Sequence, residues 1–120
     1  MVSGLALAST DPDLNAEWCS TPEFWPNRPG GKSRFETKRC YTGWEYLGGA
    51  MVQSDNRGAM ALPVVSGLRY EAFIERMHEV SRELGMPEAT WADPSGLDDE
   101  NMASARDMLK AVVAVSAHPD

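Results

Sequence analysis

The 120-residue sequence holds no apolar run near the roughly 20 residues that a spanning helix needs, which excludes a helical membrane crossing within it. Basic residues are few, 11 against 18 acidic ones, for a net charge of -7. The few there are lie dispersed, with one loose group at Lys32, Arg34, Lys38 and Arg39. That balance argues against nucleic-acid binding and against a polybasic membrane patch. The opening MVSGLALAST has no positive residues ahead of its apolar run, so it does not read as a signal peptide but as the interior of a core helix. Cysteine is limited to Cys19 and Cys40, in no C-x-x-C or C-x-x-C-H pattern, so neither a metal site nor a cofactor is expected. Pairing of the two in an oxidising compartment would stabilise by about 3 kcal/mol. Two unrelated thiols in a reduced protein fit the spacing equally well.

What remains is ordinary globular composition, 42% hydrophobic and 24% charged, enough for one modest core. Residues 1–41 read as a loop-rich lead-in. Val2 to Ala8 can form a helical turn or two, stopped by Ser9-Thr10-Asp11-Pro12. Pro22, Pro26, Pro29, Gly30 and Gly31 exclude a long helix, so Trp18, Phe24 and Trp25 are expected to anchor a surface loop. Ser33 to Tyr41 reads as a short extended segment.

From Thr42 the pattern turns helical and continues to about residue 116. Thr42-Gly43-Trp44-Glu45 is a capping box, in which hydroxyl and carboxylate each satisfy an orphan amide. Trp44, Leu47, Met51 and Val52 follow at helical spacing and are expected to face the core. Gly48-Gly49-Ala50 would admit a second backbone closely. A polar corner, Ser54-Asp55-Asn56, leads to a second apolar helix that Pro63 is expected to end. Tyr70, Phe73, Ile74, Met77, Val80 and Leu84 form one stripe of an amphipathic helix, stopped by Gly85 and Pro87. His78 lies off that stripe and reads as a surface or satisfied histidine. Ala89-Thr90-Trp91 is a brief extended piece and Asp93-Pro94-Ser95-Gly96 a turn. Ser104 starts a last helix with Met108, Leu109, Val112 and Val113 expected inside, and the tail from Ala117 to Asp120 gives no reason for order.

The ordered series Ser54-Asp55-Asn56, Phe73 and Met77, Leu84-Gly85-Met86, Asp93-Pro94-Ser95-Gly96-Leu97 and Ser104-Ala105-Arg106-Asp107-Met108 resembles the D-alanyl-D-alanine carboxypeptidases. These are serine peptidases among the low-molecular-weight penicillin-binding proteins. The likeness runs from about Thr42 to Val113, with His78 standing where the family often has Asn. It implies a mainly α fold, the helical subdomain of the β-lactamase/DD-peptidase fold with a loop-rich N-terminal third. It further implies an extracytoplasmic location and a peptidoglycan stem peptide or β-lactam as partner. In that family three motifs meet in one cleft: S-x-x-K, S-x-N and K-T-G. Carried over, Ser54 is the proton-relaying hydroxyl and Asn56 the amide that orients substrate and base, while Asp55 receives no catalytic role.

No serine here is followed three residues later by lysine, and no K-T-G occurs. Tyr41-Thr42-Gly43 ends in the right letters but lacks the cation. The sequence is therefore expected to be the part lying between the first and third motifs, a single partial domain carrying one of three motifs and inactive alone. S-x-x-K is expected shortly before Met1 and K-T-G beyond Asp120. The alternative is a non-catalytic peptidoglycan-binding or protein-interaction module derived from the family. Either way, the face that meets the missing sheet is expected to cause self-association or to need a covering partner.

Overall fold

The computed structural model describes residues 1–19, 35, 39–53, 55–95 and 100–118. Their elements run in the order α1 (Val2–Ser9), β1 (Glu17–Cys19), β2 (Cys40–Thr42), α2 (Gly43–Val52), α3 (Asn56–Ser66), α4 (Tyr70–Glu83) and α5 (Ala105–Ala117). Helix α3 is the hub, because Gly58 to Pro63 and Val65 are all buried. A helix apolar nearly all round must be covered on several sides. Helices α1, α2 and α4 cover it. Val2, Ala6 and Leu7 of α1, Met60, Leu62 and Val65 of α3, and Phe73, Met77 and Val80 of α4 share one core.

Local chemistry sets the ends of these helices. Ser9 and Thr10 turn their hydroxyls back onto the Ala6 and Leu7 carbonyls at 2.6 and 2.7 Å, closing α1. The capping box at α2 is complete: Glu45 N–H donates to Thr42 Oγ1 at 3.1 Å, and Thr42 N–H to Glu45 Oε1 at 3.0 Å. The two other exposed amides of that turn are also used, Gly43 on Ala16 and Trp44 on Leu14. At α4, Gly85 takes φ 73°, its N–H meets Arg82 C=O and Met86 N–H meets Ser81 C=O. This is the Schellman arrangement that a left-handed glycine permits.

Strands β1 and β2 form an antiparallel ribbon with Trp18 opposite Tyr41 and Cys19 opposite Cys40. The Cys19 and Cys40 sulfurs are joined, so of the two thiol states open from spacing the structure has the paired one. Trp18 packs against the core, and its carbonyl accepts from Tyr46 Oη at 3.0 Å. Phe24, Trp25 and the surrounding Pro/Gly stretch lie outside the described residues.

Three expectations are corrected, two about inward faces and one about a helix end. Trp44, Met51 and Val52 are exposed, and Gly43, Tyr46 and Gly49 are the buried residues of α2. The small residues set the phase, since Gly49 and Gly58 let α2 and α3 approach with the Phe35 ring between them. An ideal Cβ on Gly49 would stand 2.6 Å from Phe35 Cε2. The displaced side chains of α2 instead line, with Leu5 and Ala8 of α1, an apolar groove of 530 Å³.

Pro63 does not end α3 but sits inside it. The ring forfeits a hydrogen bond to the Ala59 carbonyl. Burial of Leu62, Pro63 and Val65 offsets that loss, and Gly67 at φ 79° ends the helix. In α5 the buried residues are Asp107 and Ala111, while Leu109, Val112 and Val113 are exposed. Asp107 is held inward, its Oδ2 accepting Glu88 N–H at 3.1 Å.

The glycine contacts give a paired test by urea denaturation. A Cβ at Gly58 would lie 2.9 Å from Tyr46 O and 3.0 Å from Ala50 N, backbone atoms that yield only if the helices part. Gly58→Ala is expected to destabilise by about 2 kcal/mol. Gly48, with nothing within 4 Å of the same position, is expected to gain about 0.5–1 kcal/mol as alanine.

Candidate active site

Asp55 caps α3. Its Oδ1 accepts Arg57 N–H at 2.9 Å and Gly58 N–H at 3.1 Å, while its own N–H donates to Gly49 C=O at 2.9 Å. That places Asn56 at the first helical position, partly exposed, on the rim of a recess of 280 Å³. Pro94 and Ser95 also line it, with Met1 and Ser3 from the α1 end. Asn56 is thus delivered by a helix start, which is stiffer than a loop. The other predicted site residue, Ser54, lies outside the described residues, as do Gly96 and Leu97 of the turn motif.

The far wall is built by a polar network that motif reading did not foresee. Asn101 Oδ1 accepts the Ala92 and Asp93 N–H groups at 2.6 and 3.2 Å, and Asn101 Nδ2 donates to Asp93 Oδ1 at 2.8 Å. Ser95 Oγ donates to Asp93 Oδ2 at 3.0 Å. Asp93 is 1% exposed, so these bonds are what make its burial tolerable. Tyr70 Oη adds a bond to Ala92 C=O at 3.1 Å. The Asp93-Pro94-Ser95 turn was legible; the Asn eight residues on, with nothing local to mark it, was not. His78 is a satisfied histidine, its Nε2 accepting Trp91 N–H at 2.9 Å.

Chemically the recess offers hydroxyls from Ser3 and Ser95 and one amide from Asn56. A primary amide donates and accepts at once, so it can hold two partners in fixed relation. Met1 also lines the recess, and burial holds the pKa of its amino group below the usual value for a chain terminus. Among the described residues no group of three or more His, Cys, Asp or Glu is placed to hold a metal.

A family model described as D-alanyl-D-alanine carboxypeptidase matches residues 13–118. The chain belongs to the D-alanyl-D-alanine carboxypeptidase family. The D-alanyl-D-alanine endopeptidase of Escherichia coli (strain K12) is 30% identical over 109 residues, 91% of this chain and 34% of that protein. The chain therefore spans about a third of that curated relative's length. Among solved structures, the Mycobacterium tuberculosis H37Rv D-alanyl-D-alanine carboxypeptidase superposes with a TM-score of 0.81 at 22% identity, covering 98% of this chain and 46% of that one. Penicillin-Binding Protein D2 of Listeria monocytogenes in its cefotaxime-bound form gives 0.74 at 20% identity, covering 98% and 52%. These likenesses establish the fold as the helical part of the DD-peptidase fold. Within the described residues no helix is long and apolar enough to cross a membrane.

The cap is the testable joint of the site. Asp55→Ala removes the acceptor of two amides, one of them buried, and is expected to cost about 2 kcal/mol in thermal or urea unfolding. Asp55→Ser, which keeps a capping oxygen, should recover most of it.

Proposed function

We propose that the chain is the S-x-N-bearing piece of a serine-type D-alanyl-D-alanine carboxypeptidase acting outside the cytoplasm on peptidoglycan stem peptides. Asn56 is its orienting amide and substrate contact, and Ser54 its relay hydroxyl. The observation that carries the reading is Asn56 at the capped start of α3, facing a recess, within a chain of this family. Acyl transfer needs an activated nucleophile, a base within reach and aimed donors. This sequence supplies the aimed amide; S-x-x-K and K-T-G are not among its 120 residues. The 120 residues alone are therefore inactive, and residues 42–116 are the part that carries the site. The cefotaxime-bound Listeria relative supports a β-lactam as the diagnostic ligand.

A non-catalytic module that binds peptidoglycan is the competing reading. The exposed apolar residues Leu109, Val112 and Val113 favour a covering partner or self-association in either case.

Fluorescent penicillin separates the readings. The isolated chain is expected to take no covalent label, and labelling would overturn the assignment of the nucleophile to other polypeptide. In a longer form carrying S-x-x-K and K-T-G, labelling is expected, and Asn56→Ala should slow acylation by roughly a hundredfold with little change in the unfolding midpoint. A longer form without those motifs that retains peptidoglycan unlabelled would establish the module instead. Parallel loss of folding and labelling in Asn56→Ala would make Asn56 a turn residue.

A further inference from the structure

We propose that Ser3 is a specificity-determining contact of the recess, its Oγ accepting the N–H of a secondary amide whose carbonyl the Asn56 side chain holds. Ser3 is the second residue of α1 and only 6% exposed, yet it lines the recess together with Asn56. Among the described residues its hydroxyl has no hydrogen-bond partner, and no fully occluded side-chain oxygen or nitrogen lacks one. The Ser3 oxygen is therefore not sealed inside the protein. It opens on the space that the residue lines.

The other polar side chains of the recess are already engaged. Asp55 Oδ1 takes the Arg57 and Gly58 amides, and Ser95 Oγ donates to Asp93 Oδ2. That leaves, among the described lining residues, the Ser3 hydroxyl and the Asn56 amide, neither with a partner. The other described helical serines show the common alternative. Ser9, Ser66, Ser81 and Ser116 donate to carbonyls three or four residues back, at 2.5 to 2.9 Å. A bond of that kind uses the hydroxyl proton and leaves the oxygen's lone pairs, so an acceptor at Ser3 does not depend on where its own proton goes.

Two such groups on different helices suit one ligand chemistry. A trans peptide unit points its N–H and its C=O in opposite directions, so it is met by an acceptor from one element and a donor from another. Asn56 Nδ2 supplies the donor from α3 and Ser3 Oγ the acceptor from α1. A tertiary amide brings the carbonyl alone and leaves Ser3 unmatched. A site built to pair with an N–H discriminates against the analogue that lacks it. The recess, at 280 Å³, has room for one such unit. Naming that unit as the substrate's amide rests on the carboxypeptidase reading; the pairing itself does not.

The 120-residue chain tests the pairing without any acylation. N-methylacetamide, a secondary amide, and N,N-dimethylacetamide, its tertiary analogue, are titrated in turn while NMR follows the Asn56 side-chain NH2 and the Ser3 backbone amide. N-methylacetamide is expected to shift both saturably and to bind about fivefold more tightly than its analogue. Ser3→Ala should erase that preference with the analogue bound as before, and Asn56→Ala should weaken both probes. Equal binding of the two probes by the unchanged chain, absence of a saturable shift, or a preference that survives in Ser3→Ala would each overturn the proposal. The first two need no variant to fold. Penicillin carries a secondary amide in its side chain. In a longer form carrying S-x-x-K and K-T-G, Ser3→Ala is therefore expected to slow labelling about fivefold, and an unchanged rate would overturn its part in substrate binding. A longer form that takes no label at all removes the carboxypeptidase reading and leaves the pairing to the two probes.

Discussion

The corner between α2 and α3 rests on one residue bonded in two directions. Asp55 N–H meets the Gly49 carbonyl, which also accepts Gln53 N–H at 3.3 Å, so the end of α2 and the entry to α3 share an acceptor. The Asp55 carboxylate then takes the first free amides of α3. A corner this tight leaves no room for side chains between the helices, and glycine at 49 and 58 follows from it. Phe35 fills the remaining wedge, its ring centroid 4.9 Å from those of both Tyr41 and Tyr46. Arg57 Nη1 holds the Phe35 carbonyl at 2.8 Å, so the lead-in is tied to the same corner. With α3 fixed there, its apolar remainder organises α1 and α4.

This dependence explains which features were legible in the sequence. The capping box at Thr42, the glycine stop after α4 and the stripe from Tyr70 to Leu84 are local or periodic, and hydrogen bonds within four or five residues decide them. The inward faces of α2 and α5 are not local. In α2 the bulky residues were read as core, yet backbone approach at Gly49 governs and sends Trp44 and Val52 outward. In α5 Met108 packs against the core, but Leu109, Val112 and Val113 face outward while Asp107 turns in to accept Glu88 N–H. Pro63 was read as a stop because propensity says so, but seven buried positions along α3 outweigh one missing hydrogen bond. Phe35 had no signal at all, standing among prolines, glycines and charges.

The recess divides along the same line. The place of Asn56 at a helix start was legible because it follows a capping Asp55 at the corner. The wall facing it was not, because Ser95 is held through Asp93 to Asn101, and Trp91 through its backbone to His78 and through its ring to Ser81. Apart from the Ser95–Asp93 bond, those bonds join residues eight to thirteen positions apart, too far for a turn signature and without helical or strand periodicity. The difference has a mechanical consequence. A group on a capped helix start moves only if the helix moves, whereas a group on a loop stays as long as its ties do. One side of the recess is thus set by the packing of the core, and the other by a small number of polar contacts.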